Sequence, residues 1–97
     1  MFQILDDINI TVHKGVQVSK ISASEDSEVL HISIEKDAIF KKHTSPKDAL
    51  LVVLEGQICF HINSNSFVLS KHQFFNFAKQ TEHWVEAHEN SNFLIIR

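Results

Sequence analysis

The feature that most limits how this chain can fold is a two-residue alternation of apolar and polar side chains along nearly its whole length. Ile8, Ile10 and Val12 alternate with polar neighbours, and so do Leu30, Ile32 and Ile34, with His31 and Ser33 on the other face. Ile58, Phe60 and Ile62 alternate with Cys59 and His61, and His83, Val85 and Ala87 with Trp84 and Glu86. Successive side chains on a strand point to opposite faces, so this period predicts strands half-buried in sheets. No stretch carries a convincing helical period. Phe2 to Asp7 and Pro46 to Leu51 tolerate helix but are too short to stand alone.

Turn-forming residues separate the runs. They fall at Gly15, Ser22 to Ser27, Glu35 to Asp37, Thr44 to Asp48, Glu55-Gly56, Asn63 to Ser66, Lys71-His72, Lys79 to Thr81 and Glu89 to Asn92. About nine short strands at roughly 8–12-residue spacing predict an all-β sandwich, jelly roll or small barrel. With two Gly in the chain, Asn must carry several turns, and a hairpin is expected at Asn63 to Asn65.

The 97 residues suit one domain, 1–97, with no linker or internal repeat. An apolar fraction of 43 % excludes a disordered chain. A net charge of −3 without a basic run predicts no nucleic-acid partner. The longest apolar run, Ala49 to Leu54, is far short of the ~20 residues of a membrane span. The start, Met-Phe-Gln-Ile-Leu before Asp6-Asp7, lacks the charge order of a secretory signal, and the single Cys59 has no internal disulfide partner. Both features point to the cytoplasm. No phosphate loop, nucleophile elbow or zinc-finger spacing is present.

Three segments carry the chemistry: Phe40 to Ala49, with His43 and Ser45; Leu50 to Phe60, with Glu55-Gly56; and Ser70 to Trp84, ending in His83. In this order they resemble the small single-domain cupins (cupin-2-like). His43 matches the first His of the family's first motif, Gly56 its closing Gly, and His83 the His of its second motif. Ser45 stands where that pattern has a second His, and Ala49 where it has a Glu. Ala78 and Gln80 replace the Pro and Gly of its second turn, and His72 replaces an earlier Gly. The resemblance implies a cupin-type jelly roll, or double-stranded β-helix barrel. It also implies a three-His, one-carboxylate metal set, of which His43 and His83 remain, and a homodimer through a sheet.

The pocket is expected to be lined by His43, Ser45, Ala49 and His83 near its mouth, with Val53, Ile58, Phe60 and Val85 below. A small-molecule site of this kind has apolar walls and few polar groups. The leading expectation is a ligand-binding barrel with a degenerate metal site and no strong catalysis. The alternative is a metal-dependent dioxygenase, isomerase or lyase in which His43 and His83 hold one iron, manganese or zinc ion. Asp48 or His31 would then be the third donor, with Gln57 a weaker one. A third reading, a metal-free His base, lacks a visible orienting carboxylate. Strict alternation puts Lys41 on the face of His43, which favours an anion over a cation in the pocket. Leu50 to Leu54 is apolar on both faces, so its outer face predicts a second copy as cover. One of Phe74 and Phe75 must face outward.

Overall fold

Val, Ile and Phe crowd the alternating runs, and β-branched and aromatic side chains fit a pleated surface better than a helix. The computed structural model, which describes residues 2–97, accordingly contains nine strands and no helix among them. The strands are β1 (Val16–Ala23), β2 (Glu28–Ile34), β3 (Ile39–His43), β4 (Ala49–Glu55), β5 (Gln57–Ile62), β6 (Asn65–Ser70), β7 (Phe74–Phe77), β8 (His83–Ala87) and β9 (Ser91–Ile96). They form a five-stranded sheet, β1-β2-β9-β4-β7, facing a four-stranded sheet, β3-β8-β5-β6. Every pairing is antiparallel. Among the described residues, no helix is long and apolar enough to cross a membrane.

The core is where the alternation places it. Ile32, Ile34, Leu51, Val53, Ile58, Phe60, Val85 and Phe93 are buried between the sheets. The intervening residues of β2, β5 and β8 face outward. Asn63 and Ser64 both take positive φ between β5 and β6, the conformation of a two-residue hairpin turn. Gly56 turns the chain from β4 into β5 at φ +84°, and a Cβ there would collide with the Ser91 side chain and lie 2.8 Å from its Cα. Gly56 therefore serves close packing.

One alternating run is not a strand. Ile8, Ile10 and Val12 lie in turns and irregular chain, with Ile10 and Val12 72 % and 73 % exposed. Alternation makes a segment fit to pair, but no neighbouring strand edge receives this one. The first strand is instead β1, an edge strand with mostly exposed side chains and hence a weak apolar period.

Candidate functional site

Antiparallel packing brings the end of β3 and the start of β8 to the same end of the barrel, where His43 and His83 are register partners. Their rings meet edge to face with centroids 4.3 Å apart. His43 stacks on Phe40 at 4.5 Å, and His83 lies 4.6 Å from Phe77 and 5.6 Å from Phe60. Each imidazole donates its Nδ1 hydrogen to the carbonyl two residues earlier, Lys41 at 2.6 Å and Thr81 at 2.8 Å. A carbonyl only accepts, so these bonds fix the tautomer and leave Nε2 of each neutral ring as the acceptor. Burial pushes the His83 pKa below the ordinary histidine value. The bond to Thr81 opposes that shift, while the charges of His43 and Arg97 add to it.

The two rings help line a cavity of about 270 Å³ between the sheets. Its walls are apolar, with Leu30, Ile32, Leu51, Phe60, Val85, Phe93 and Ile95. Its polar rim is His43, Thr44, Ser45, His83 and Arg97. Arg97 follows β9 and donates from Nε to Glu28 Oε1 at 2.7 Å and from Nη1 to Ser45 Oγ at 3.4 Å. Hydrogen bonding to Arg97, and then to Lys20, holds the Glu28 carboxyl below its usual range. Glu28 is thus ionised and anchors the guanidinium at the rim. Ser45 is buried, and its hydroxyl also donates to Lys47 O at 2.7 Å.

Of the residues expected to line the pocket, the structure gathers His43, Ser45, Phe60, His83 and Val85. Ala49, Val53 and Ile58 are buried but do not line it. Ala49 is buried beside Phe77, its partner across β4 and β7, outside the cavity lining. Val53 and Ile58 lie one inward-facing rung below Leu51 and Phe60, where core packing has closed the space. Asp48 turns away: its carboxylate accepts from the Lys79 amide at 2.9 Å on the outer surface. His31 lies on the outer face of the larger sheet, because Leu30 and Ile32 on either side of it line the cavity, and its Nε2 pairs with Asn92 at 3.2 Å. Gln57 is also outside, bonded to Ser70 and His88.

Lys41 departs from its expected face for a specific reason. Phe40 pairs with Val85 and His43 with His83, so three steps along β3 match two along β8. This bulge puts Phe40 and His43 on the same side and leaves Lys41 exposed. The cation of the cavity is Arg97, which the sequence reading missed. The signal was present, since Phe93, Ile95 and Arg97 continue one two-residue period.

No family model matches the chain, and no curated protein matches it. Solved structures do. A conserved protein of unknown function from Streptococcus pyogenes is similar over 97 % of this chain and 84 % of its own, with TM-score 0.83 and 19 % identity. A cupin superfamily protein from Desulfitobacterium hafniense is similar over 89 % and 79 %, with TM-score 0.81 and 13 % identity. A cupin-2 domain containing protein from Shewanella frigidimarina is similar over 93 % and 85 %, with TM-score 0.74 and 20 % identity.

The chain has a small cupin-like fold. Two positions where the cupin pattern has glycine keep the backbone glycine favours: His72 at φ +70° and Gln80 at φ +62°. The metal set fares differently. Among the described residues, no other His and no Cys, Asp or Glu lies close enough to His43 and His83 to complete a group of three donors. Where the pattern has a second His, Ser45 bonds a guanidinium, whose charge repels a divalent cation. The cavity residues do not fit a resident metal. The group of three that does lie close together, Cys59, Glu86 and His88, is on the outside of the barrel.

Proposed function

We propose that this protein binds a compact small molecule with an apolar body and one anionic end, a carboxylate above all, and has no strong catalysis of its own. The observation that carries this reading is the Arg97 guanidinium standing on Ser45 at the rim of an otherwise apolar cavity. Arginine matches the planar fork of a carboxylate, and a charge-assisted bond in a half-closed site is among the stronger polar contacts available. His43 and His83, tethered through Nδ1, leave Nε2 as acceptors that would take a hydroxyl or N–H donor elsewhere on the ligand, while Arg97 takes the anionic end. The volume is slightly below the roughly 300–1,000 Å³ of ordinary ligand pockets, so the ligand is small. The competing metal-enzyme reading needs a third donor, and Asp48 and His31 are bonded elsewhere.

The test is calorimetric titration with benzoate and its neutral isostere benzamide. Benzoate is expected to bind more tightly, and Arg97→Gln to remove at least tenfold of its affinity. Equal binding of the two probes, or benzoate affinity untouched in Arg97→Gln, would overturn the reading.

We also propose that the protein works as a homodimer in the cytoplasm. Leu50, Val52 and Leu54 face outward from the larger sheet and are only half-buried. Phe74, register partner of Val52, is 64 % exposed on the same sheet. A sheet face this apolar suits a second copy as cover. Light scattering should give twice the chain mass, falling to one chain in Val52→Glu. A parent protein of single-chain mass would contradict the dimer.

A further inference from the structure

Antiparallel pairing of β5 and β8 builds a second polar group on the outside of the smaller sheet. Cys59 is the register partner of Glu86, and His61 of Trp84. His88 follows Glu86 on the same face, and its amide donates to the Gln57 carbonyl at 3.0 Å. The Cys59 sulfur, a Glu86 carboxylate oxygen and a His88 ring nitrogen all lie within 4.8 Å of one another. Around them the side chains are held in place. His61 stacks on Trp84 at 3.6 Å with an interplanar angle of 4°. Its Nε2 meets Glu86 Oε1 at 3.1 Å, and its Nδ1 meets Ser66 Oγ at 2.8 Å. Nδ1 of His88 bonds Gln57 Oε1 at 3.1 Å.

We infer that Cys59, Glu86 and His88 form a site for one zinc-like divalent cation on the outer face of β5 and β8. Thiolate, carboxylate and imidazole are the three ligand types that zinc takes, and three protein ligands leave a fourth position for water or another donor. Zinc bonds of about 2.0–2.3 Å in tetrahedral geometry separate ligand atoms by roughly 3.3–3.7 Å. Side-chain movement of about 1 Å therefore closes the site, with no change in the sheet. His61 supplies what ligating groups ordinarily have behind them, a hydrogen bond that orients the carboxylate.

The test uses cobalt(II) as the probe, because a cobalt–thiolate bond has its own charge-transfer absorption. Titration of the folded chain should develop that band to one equivalent of metal, and zinc should abolish it by displacement. Cys59→Ser should lose the band. Glu86→Gln and His88→Gln, at more exposed positions, should keep the fold by circular dichroism and bind cobalt at least tenfold more weakly. His61→Phe keeps an aromatic ring on Trp84 and should weaken binding roughly tenfold through the carboxylate it orients. His43→Ala and Arg97→Gln should bind as the parent does. The site is refuted by absence of the band, by parent affinity in both Glu86→Gln and His88→Gln, or by loss of the band in His43→Ala.

Discussion

The two faces of β5 and β8 carry opposite chemistry on the same stretch of backbone. Inward, Phe60 and Val85 sit under a pair of imidazoles bonded to carbonyls, with a guanidinium as the nearby charge. Outward, Cys59 and Glu86 sit beside His61 and His88, with a carboxylate in direct contact with an imidazole. The residues lining the inner cavity include a guanidinium and no carboxylate, which suits an anion. The outer face holds a thiol and an acid, which suits a cation. Alternation makes the two faces chemically independent, so one stretch of backbone can carry an interior suited to an anion and an exterior suited to a cation.

The largest expected effect comes from the inner face alone. Phe60 is fully buried against Phe75 and Phe77, with centroids 5.2 Å away in each case. Phe60→Ala should cost about 3–5 kcal/mol by removing apolar contact and leaving a void. His61→Phe, one residue along and facing outward, should cost about 1 kcal/mol or less, since it loses two partly solvated hydrogen bonds. Chemical denaturation measures both. Comparable losses would mean that the outer face is as much a part of the core as the inner one.

The second effect is a pH dependence that belongs to the inner face. The unfolded chain protonates His83 near the ordinary value of about 6.5, and the folded chain only at lower pH. Between those values the unfolded state binds more protons, so stability falls as pH drops below about 6.5 and levels off below the folded value. His83→Gln should flatten that part of the stability profile. A profile equally steep in His83→Gln would remove His83 as the cause.

The smallest effect lies in the turn that delivers His83. Gln80 holds φ +62°, a conformation that costs an L-residue roughly 1–2 kcal/mol. Gln80→Gly should therefore stabilise the chain by about 0.5–1 kcal/mol after the added freedom of the unfolded state is allowed for. A loss of stability would mean that the Gln80 side chain does more than occupy a turn.

Much of this arrangement was legible in the sequence, and the failures share a cause. The two-residue period identified β2, β5 and β8, assigned Cys59 and His61 to an outer face, and set Trp84 and Glu86 opposite His83 and Val85. It did not contain the register between strands, so Cys59 had no visible partner until β8 was laid beside β5. It misled at Ile8 to Val12, where a strand-like pattern has no strand to pair with. It misled again at Lys41, because a bulge breaks alternation without any local mark such as glycine. Arg97 was readable from Phe93 and Ile95 but stands outside the motifs that drew attention to His43 and His83. The turns at His72 and Gln80 show the converse: the backbone takes the conformation glycine favours with no glycine in the sequence to mark it.

The most direct test of two separate sites is nitrogen-detected NMR of the histidine rings in the folded protein, with benzoate and zinc added in turn. The account predicts that benzoate shifts His43 and His83 alone, and that zinc shifts His88 and His61 alone. Zinc shifting the His43 and His83 rings, or benzoate shifting the outer pair, would contradict it.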